Sequence, residues 1–310
     1  DYEKYLKVAG NEKSKAYGDE VSQILRRRLS RSLEYEGKLV EAELVVRAAL
    51  LNRLKATGLY STWAPRVILR FADHLAIQGR FDESKQLIDV AIDVMQKLGF
   101  PEGSYRLHSA QMQLAGLEFL AGKTDKALAI YDKIEQTLDK SSEYTRRIVE
   151  SDKDRLLTYA VAGRQGDVIA HFNKYGASPE GSSFVRGVYR QGALAIATAM
   201  AGDTEQAFRK FRDIVPTLTA KKAQPADEAY TVGTAPELRN SVILEAYLAL
   251  LVKLRGSAEE EKLGVDAVAE AFTVADTARG QLVQKAVSAA SARASVDNKE
   301  LAELVRTEQD

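Results

Sequence analysis

The sequence contains no cysteine among its 310 residues. This absence excludes disulfide bonds, thiolate zinc sites and a cysteine nucleophile within these residues. It has only three histidines, and His74, His108 and His171 have no carboxylate or second histidine at ligand spacing, so we predict no metal site. No apolar run reaches the roughly 18 residues that a membrane-spanning helix needs. We therefore expect a soluble chain and no membrane span.

Neither sign of charge dominates the composition. The 44 Lys and Arg residues equal the 44 Asp and Glu residues in number. The overall charge therefore does not attract nucleic acid or an anionic membrane, and nucleic acid is disfavoured as a partner. The composition does not fix the cellular compartment. We favour the cytoplasm, and a signal peptide removed ahead of Asp1 is the alternative.

A glycine-led turn between two amphipathic helices recurs five times along the chain. The turn glycines follow one another after 42, 43, 41 and 39 residues: Gly37, Gly79, Gly122, Gly163 and Gly202. Five positions after each glycine lies Ala42, Ser84, Ala127, Val168 or Ala207, and seven positions before it lies Ser30, Ala72, Ala115, Leu156 or Ala195. Glycine suits the left-handed conformation that ends a helix, and small residues let paired helices approach closely. The spacing predicts an internal repeat of helical hairpins.

This repeat resembles the tetratricopeptide repeat (TPR) family, whose hairpins have a glycine-led turn and small residues at the helix contact. The family's unit is shorter, at about 34 residues, so each helix here should carry roughly one extra turn. The resemblance implies an all-α fold, a right-handed α-solenoid of about six TPR-like hairpins with longer than usual repeats. A plain bundle of helical hairpins is the alternative.

We predict three regions in the chain. Residues 1–18 form a polar lead-in, residues 19–280 form the TPR-like array, and residues 281–310 form linker helices that lead towards a further C-terminal domain. The helical periodicity lapses over 217–235. A loop of this length within an array is either functional or disordered.

Charged side chains on the first two inner helices are the candidate site. In solenoids the inner helices line the ligand groove. We therefore predict that a protein or peptide partner, acidic in character, contacts five residues: Arg27, Arg31, Arg66, Arg70 and Asp73. A solvated arginine face and a simple Arg70–Asp73 pair within one helix are the alternatives. Trp63 is expected to cover the joint between hairpins, with a binding platform as the alternative.

The last quarter of the chain carries a second resemblance. Its features are the segment 243–248, Ala271-Phe272 with Ala275 and Ala278-Arg279, the alanine-rich stretch 286–294 and the segment 301–310. They are similar to the region that joins the TPR array to the CHAT domain in bacterial proteins. The resemblance implies a parent protein in which a caspase-like cysteine protease domain lies beyond residue 310. It places no catalytic residue on this chain.

The sequence therefore favours a non-catalytic protein–protein interaction scaffold, the recognition or regulatory half of a CHAT-domain protein, whose partner could be its own CHAT domain. No residues form a recognised set of nucleophile, base and orienting group, and we predict neither enzymatic activity nor a cofactor. The alternative is a TPR module of a transcriptional or signalling regulator that senses a ligand or nucleic acid, based on the arginines at 26–31.

Overall fold

The structure, a computed structural model, describes residues 26–175, 184–219 and 233–276. The predicted lead-in, 1–18, and the predicted linker, 281–310, lie outside the described residues. The described residues are helical and contain no strand.

The helices follow the predicted hairpin order. The first half of the chain forms α1 (26–35), α2 (Leu39–Thr57), α3 (Ala64–Gln78), α4 (Phe81–Lys97), α5 (Tyr105–Leu120), α6 (Thr124–Leu138) and α7 (Glu143–Glu150). The second half forms α8 (Lys153–Val161), α9 (Gln165–Tyr175), α10 (Phe184–Met200), α11 (Thr204–Thr219), α12 (Thr234–Leu254), α13 (Ala258–Leu263) and α14 (267–276). Six hairpins result, α1–α2, α3–α4, α5–α6, α8–α9, α10–α11 and α12–α14, because α7 and α13 are short helices inserted between longer ones.

The turn pattern is confirmed at every repeat. All five turn glycines have φ between 75° and 90°, the left-handed region that glycine adopts without strain. The ten positions that flank them at the predicted spacings are all fully buried, including the two larger residues, Leu156 and Val168. In the second hairpin the two positions touch directly, because the Ser84 hydroxyl donates to the Ala72 carbonyl at 2.7 Å.

Successive hairpins stack into an all-α solenoid, as predicted. Each second helix packs on the next hairpin, as in the contacts α2–α3, α4–α5, α6–α8, α9–α10 and α11–α12. The first helices, which we call the inner helices, also contact one another in order: α3–α5, α5–α8, α8–α10 and α10–α12. Within the described part of the chain, no helix is long and apolar enough to cross a membrane.

The predicted interruption at 217–235 is too wide at both ends. Helix α11 continues through Pro216 to Thr219, where the Thr219 hydroxyl donates to the Val215 carbonyl at 2.9 Å. Helix α12 already begins at Thr234. The residues between, 220–232, lie outside the described residues.

The first turns of α12 close the solenoid, because they contact α3 and α5 as well as the adjacent α10 and α11. Gly233 passes so near to α3 that a Cβ there would lie 2.4 Å from the Ile77 carbonyl oxygen. Thr234 fills the space beside Gly79, where a Cβ would lie 2.9 Å from the Thr234 hydroxyl oxygen. Helix α12 therefore lies across the face that the inner helices form.

Candidate partner-binding site

A groove of about 350 Å³, open to solvent on one side, lies between α1, α3, α5, the start of α8 and α12, and we call it the inner cavity. Four of the five predicted partner-binding residues line it: Arg31, Arg66, Arg70 and Asp73. Polar residues from the other walls complete it: Ser109, Gln113, Asp152, Lys153, Asp154 and Arg239. The fold thus brings predicted residues from two hairpins onto one surface.

Arg27, the fifth predicted residue, lines a smaller depression of about 80 Å³ that shares Arg66 and Arg70 with the inner cavity. The Trp63 ring borders this depression and is 37% exposed. The guanidinium carbons of Arg66 and Arg53 lie 5.3 and 5.6 Å from its centre, within the range of cation–π attraction. Trp63 therefore lies between α2 and α3, at the joint between the first two hairpins, and borders the surface that carries the arginines.

Arg70 is held by a buried network between α1 and α3. Its Nη2 donates to the Glu34 carboxylate at 2.6 Å and to the Ser30 hydroxyl at 3.0 Å, and its Nη1 donates to Asp73 at 3.2 Å. Glu34 also bonds to His74 Nδ1 at 2.6 Å. The Arg70–Asp73 pair that the sequence offered as an alternative is thus present, and Arg70 has a structural role while it lines the cavity.

Arg27, Arg31 and Arg66 differ from Arg70 in being exposed and in having no ion pair with a carboxylate among the described residues. Partial burial lowers the pKa of the Arg27 guanidinium, and the nearby charges of Arg31, Arg66 and Arg70 lower it further. The Arg27 cation is therefore destabilised by its arginine neighbours. An anionic partner would relieve this repulsion.

The opposite wall is built on the start of α8. Asp152 caps this helix, because its Oδ1 accepts from the backbone N–H groups of Asp154 and Arg155 at 2.7 and 3.3 Å. Burial, together with the Asp154 charge, raises the pKa of Asp152. Burial also opposes ionisation of Asp154, but Arg239 and Lys153 outweigh it and hold the pKa of Asp154 well below its usual range.

The contact between Asp154 and Arg239 was not predicted from the sequence. Arg239 donates from Nε and Nη2 to the two carboxylate oxygens of Asp154 at 2.6 and 2.8 Å. A glycine makes room for this contact, because a Cβ at Gly116 on α5 would lie 2.8 Å from Asp154 Oδ2. Gly116 could have indicated this contact, because a glycine in a helix interior often marks the close approach of another element.

The three histidines are buried and take part in hydrogen bonds. His74 bonds to Glu34, His108 Nε2 lies 3.0 Å from the Thr137 hydroxyl, and His171 Nε2 lies 2.9 Å from Arg190 Nη2. Among the residues that the structure describes, no group of three His, Asp or Glu side chains is arranged to hold a metal ion.

The helix order and the contacts between hairpins define this chain as an all-α solenoid. No family model matches the sequence. No curated protein matches it either. Among solved structures, the chain is similar to a Podosopora anserina putative kinesin light chain with nearly identical TPR-like repeats, at 13% identity and a TM-score of 0.37, over 85% of this chain and 97% of that one. A variant form of the same protein matches at 14% identity and a TM-score of 0.37, over 84% and 97%.

Proposed function

We propose that this chain is a non-catalytic protein–protein interaction scaffold whose inner face binds an acidic segment of a partner protein. The observation that carries the proposal is the exposed arginine surface formed by Arg27, Arg31 and Arg66, which has no carboxylate partner among the described residues. It extends across two hairpins, as the groove of a repeat protein does.

The chemistry of the surface selects for carboxylates. A guanidinium binds a carboxylate through two parallel hydrogen bonds, and several guanidinium groups in one area bind a segment with several acidic side chains. Because the three arginines are exposed, their attraction is screened by salt and acts mainly on the rate of association. Trp63 and Tyr105 border the arginines and add apolar contact area for the partner's side chains.

The test compares binding of a fluorescent oligoglutamate peptide with binding of its oligoglutamine counterpart. We expect the double variant Arg27→Glu/Arg66→Glu to bind oligoglutamate more weakly by about tenfold or more, because like charges then face each other. Arg28→Glu is the matched control, because Arg28 is exposed on the same helix α1 but lines neither the inner cavity nor the neighbouring depression. Equal affinity of the wild type and the double variant would rule out this surface.

We further propose that the parent protein carries a caspase-like CHAT domain, for which this array is the recognition or regulatory half. The support is the resemblance of the C-terminal quarter described above. The predicted division into an array, 19–280, and linker helices, 281–310, belongs to the same proposal. A protein expressed from the extended reading frame should show cysteine-dependent cleavage of itself or of a peptide. A reading frame without a cysteine–histidine domain would contradict this part of the proposal.

A nucleic-acid or ligand sensor is the second candidate, and the same cluster of exposed arginines favours it. Binding to an oligonucleotide would weaken steeply with salt, because each neutralised phosphate releases counterions. Tighter binding of an oligonucleotide than of oligoglutamate at about 0.15 M salt would favour the sensor over the scaffold.

A further inference from the structure

We propose that the inner cavity binds a small molecule with an anionic head group, a carboxylate or a phosphate, held by Arg31, Arg66 and Arg70. This site goes beyond the surface proposed for the protein partner. It shares Arg66 and Arg70 with the neighbouring depression but extends past α5 to α8 and α12, whereas Arg27 and Trp63 line only the depression.

Two cations and one carboxylate, Asp152, are the charged groups of the cavity wall that have no ion pair among the described residues. Asp154 is occupied by Arg239 and by Lys153, whose Nζ lies 3.6 Å from its carboxylate. Asp73 pairs with Arg70. Arg31 and Arg66 line the cavity without a carboxylate partner in the described part of the chain.

Arg70 adds a third positive charge to this wall. Its side chain is 9% exposed, and its two Nη groups already donate to Glu34, Ser30 and Asp73. An anion bound by Arg31 and Arg66 would therefore interact with Arg70 through its charge, while Glu34 and Asp73 hold the guanidinium in place.

The remainder of the cavity is suited to a polar body. The Ser109 hydroxyl lines its α5 side beside Gln113, whose Nε2 already donates to the Leu69 carbonyl at 2.9 Å and leaves its amide oxygen as an acceptor. Asp152 lines the far wall. The volume of about 350 Å³ is at the small end of ligand pockets, as expected for a small metabolite rather than a folded partner.

Binding at this position should stabilise the closed solenoid. The walls of the cavity come from α1 and α3 at one end of the array and from α8 and α12 nearer the other. A ligand that contacts both walls binds the closed form better than the opened or unfolded form, and it therefore raises the melting temperature.

The experiment uses calorimetric titration and thermal melting of the full 310-residue chain. The probes are glycerol phosphate against glycerol, and glutarate against glutaramide, each at about 5 mM and at matched ionic strength. We expect the anionic member of at least one pair to bind and to raise the melting temperature, while its neutral counterpart does neither. The pair that responds identifies the head group as phosphate or carboxylate.

Variants locate the site. Arg31→Gln and Arg66→Gln remove exposed side chains, so folding is preserved, and each should weaken binding of the anion by about tenfold. Arg28→Gln, the control on α1, should leave it unchanged. Absence of binding for both anions, or equal binding by the wild type and the two cavity variants, would overturn the proposal.

The test of the inner cavity can be distinguished from the test of the protein-binding surface. Arg27 lines the depression but not the inner cavity. Arg27→Gln should therefore weaken oligoglutamate and leave the small anion unaffected. If the small anion binds and depends on Arg31 while oligoglutamate does not bind, the cavity site stands and the scaffold proposal fails. If oligoglutamate binds and the small anion does not, the cavity site is overturned.

Discussion

Arg239 of α12 and Asp154 of α8, separated by 85 residues in the sequence, form a two-point ion pair with donor–acceptor distances of 2.6 and 2.8 Å. The side chains are 13% and 9% exposed. The pair fixes the crossing helix α12 to the start of α8, beside the inner cavity. It holds together parts of the array that a simple stack of hairpins would leave apart.

Replacement of Arg239 should destabilise the fold, because Asp154 would keep a buried charge with only the more distant Lys153 as a partner. For Arg239→Gln we expect a loss of about 3 kcal/mol in the free energy of unfolding, measured by urea denaturation. Arg209→Gln is the control, because its pair with Glu205 is exposed, and its effect should stay below about 1 kcal/mol. Similar losses in the two variants would show that the Asp154–Arg239 pair has no special role.

Two glycines of α10 should respond to alanine in opposite directions. A Cβ at Gly192 would lie 2.4 Å from Ile243 Cδ1, so Gly192→Ala forces α12 away and should cost about 1–3 kcal/mol. A Cβ at Gly187 meets nothing within 4 Å among the described residues, so Gly187→Ala should stabilise the helix by about 0.5–1 kcal/mol. Thermal melts of both variants test these two expectations. An unchanged melting temperature for Gly192→Ala would contradict the close contact with Ile243, and a lowered one for Gly187→Ala would contradict the open space beside Gly187.

The repeat could be predicted from the sequence because its signals are local. A turn glycine and the two small positions around it, as in Ala72, Gly79 and Ser84, lie within a dozen residues, and helical periodicity places them on one contact. The short helix α7 was missed because eight residues carry little periodic signal. The closure by α12 was missed for another reason, since it depends on the superhelix that several hairpins accumulate.

The candidate site also has features that the sequence predicts and features that it does not. Arg27, Arg31, Arg66 and Arg70 could be placed on the inner helices by counting from the turn glycines. Their surroundings could not be inferred, because whether an arginine is paired depends on residues distant in sequence. The pairing of Arg70 with Glu34 crosses two hairpins, and nothing near either residue in the sequence indicates it.

His171 should make the stability depend on pH in mildly acidic solution. Burial, together with the charge of Arg190, lowers the pKa of His171 from its ordinary value of 6.5 to about 4. Between these two values the unfolded chain binds a proton that the folded chain does not, so stability falls as the pH decreases from 6.5 towards 4, by about 2 kcal/mol.

The measurement for His171 is urea denaturation at several pH values in this interval. His171→Gln keeps an acceptor for Arg190 but does not titrate, so its stability should decrease less than that of the wild type over the same interval. Carboxylates titrate equally in both proteins and cancel in the comparison. Parallel curves for the two proteins would exclude the assignment to His171.

Asp152 should be replaceable by asparagine with a gain in stability near pH 7. The pKa of Asp152 is raised in the folded chain, so the protonated side chain stabilises the fold at low pH. This stabilisation is lost as the pH rises through the raised pKa, and above that pKa the fold disfavours the ionised carboxylate. Asp152→Asn removes the charge and retains the oxygen that caps α8, so we expect a gain in the free energy of unfolding. Asp152→Ala loses the cap and should lower stability by about 1 kcal/mol; a loss in both variants would show that the charge is needed.

The contact between α12 and α3 has a consequence for how this protein can evolve. Open repeat arrays tolerate the gain or loss of a unit, because each unit touches only its neighbours. Here the insertion or deletion of one hairpin between α4 and α12 would move Thr234 away from Gly79, and a change between α8 and α12 would also move Arg239 away from Asp154. The number of units in this stretch is therefore set by ring closure, and length variation among its descendants should be confined to the loops and to the hairpins outside it.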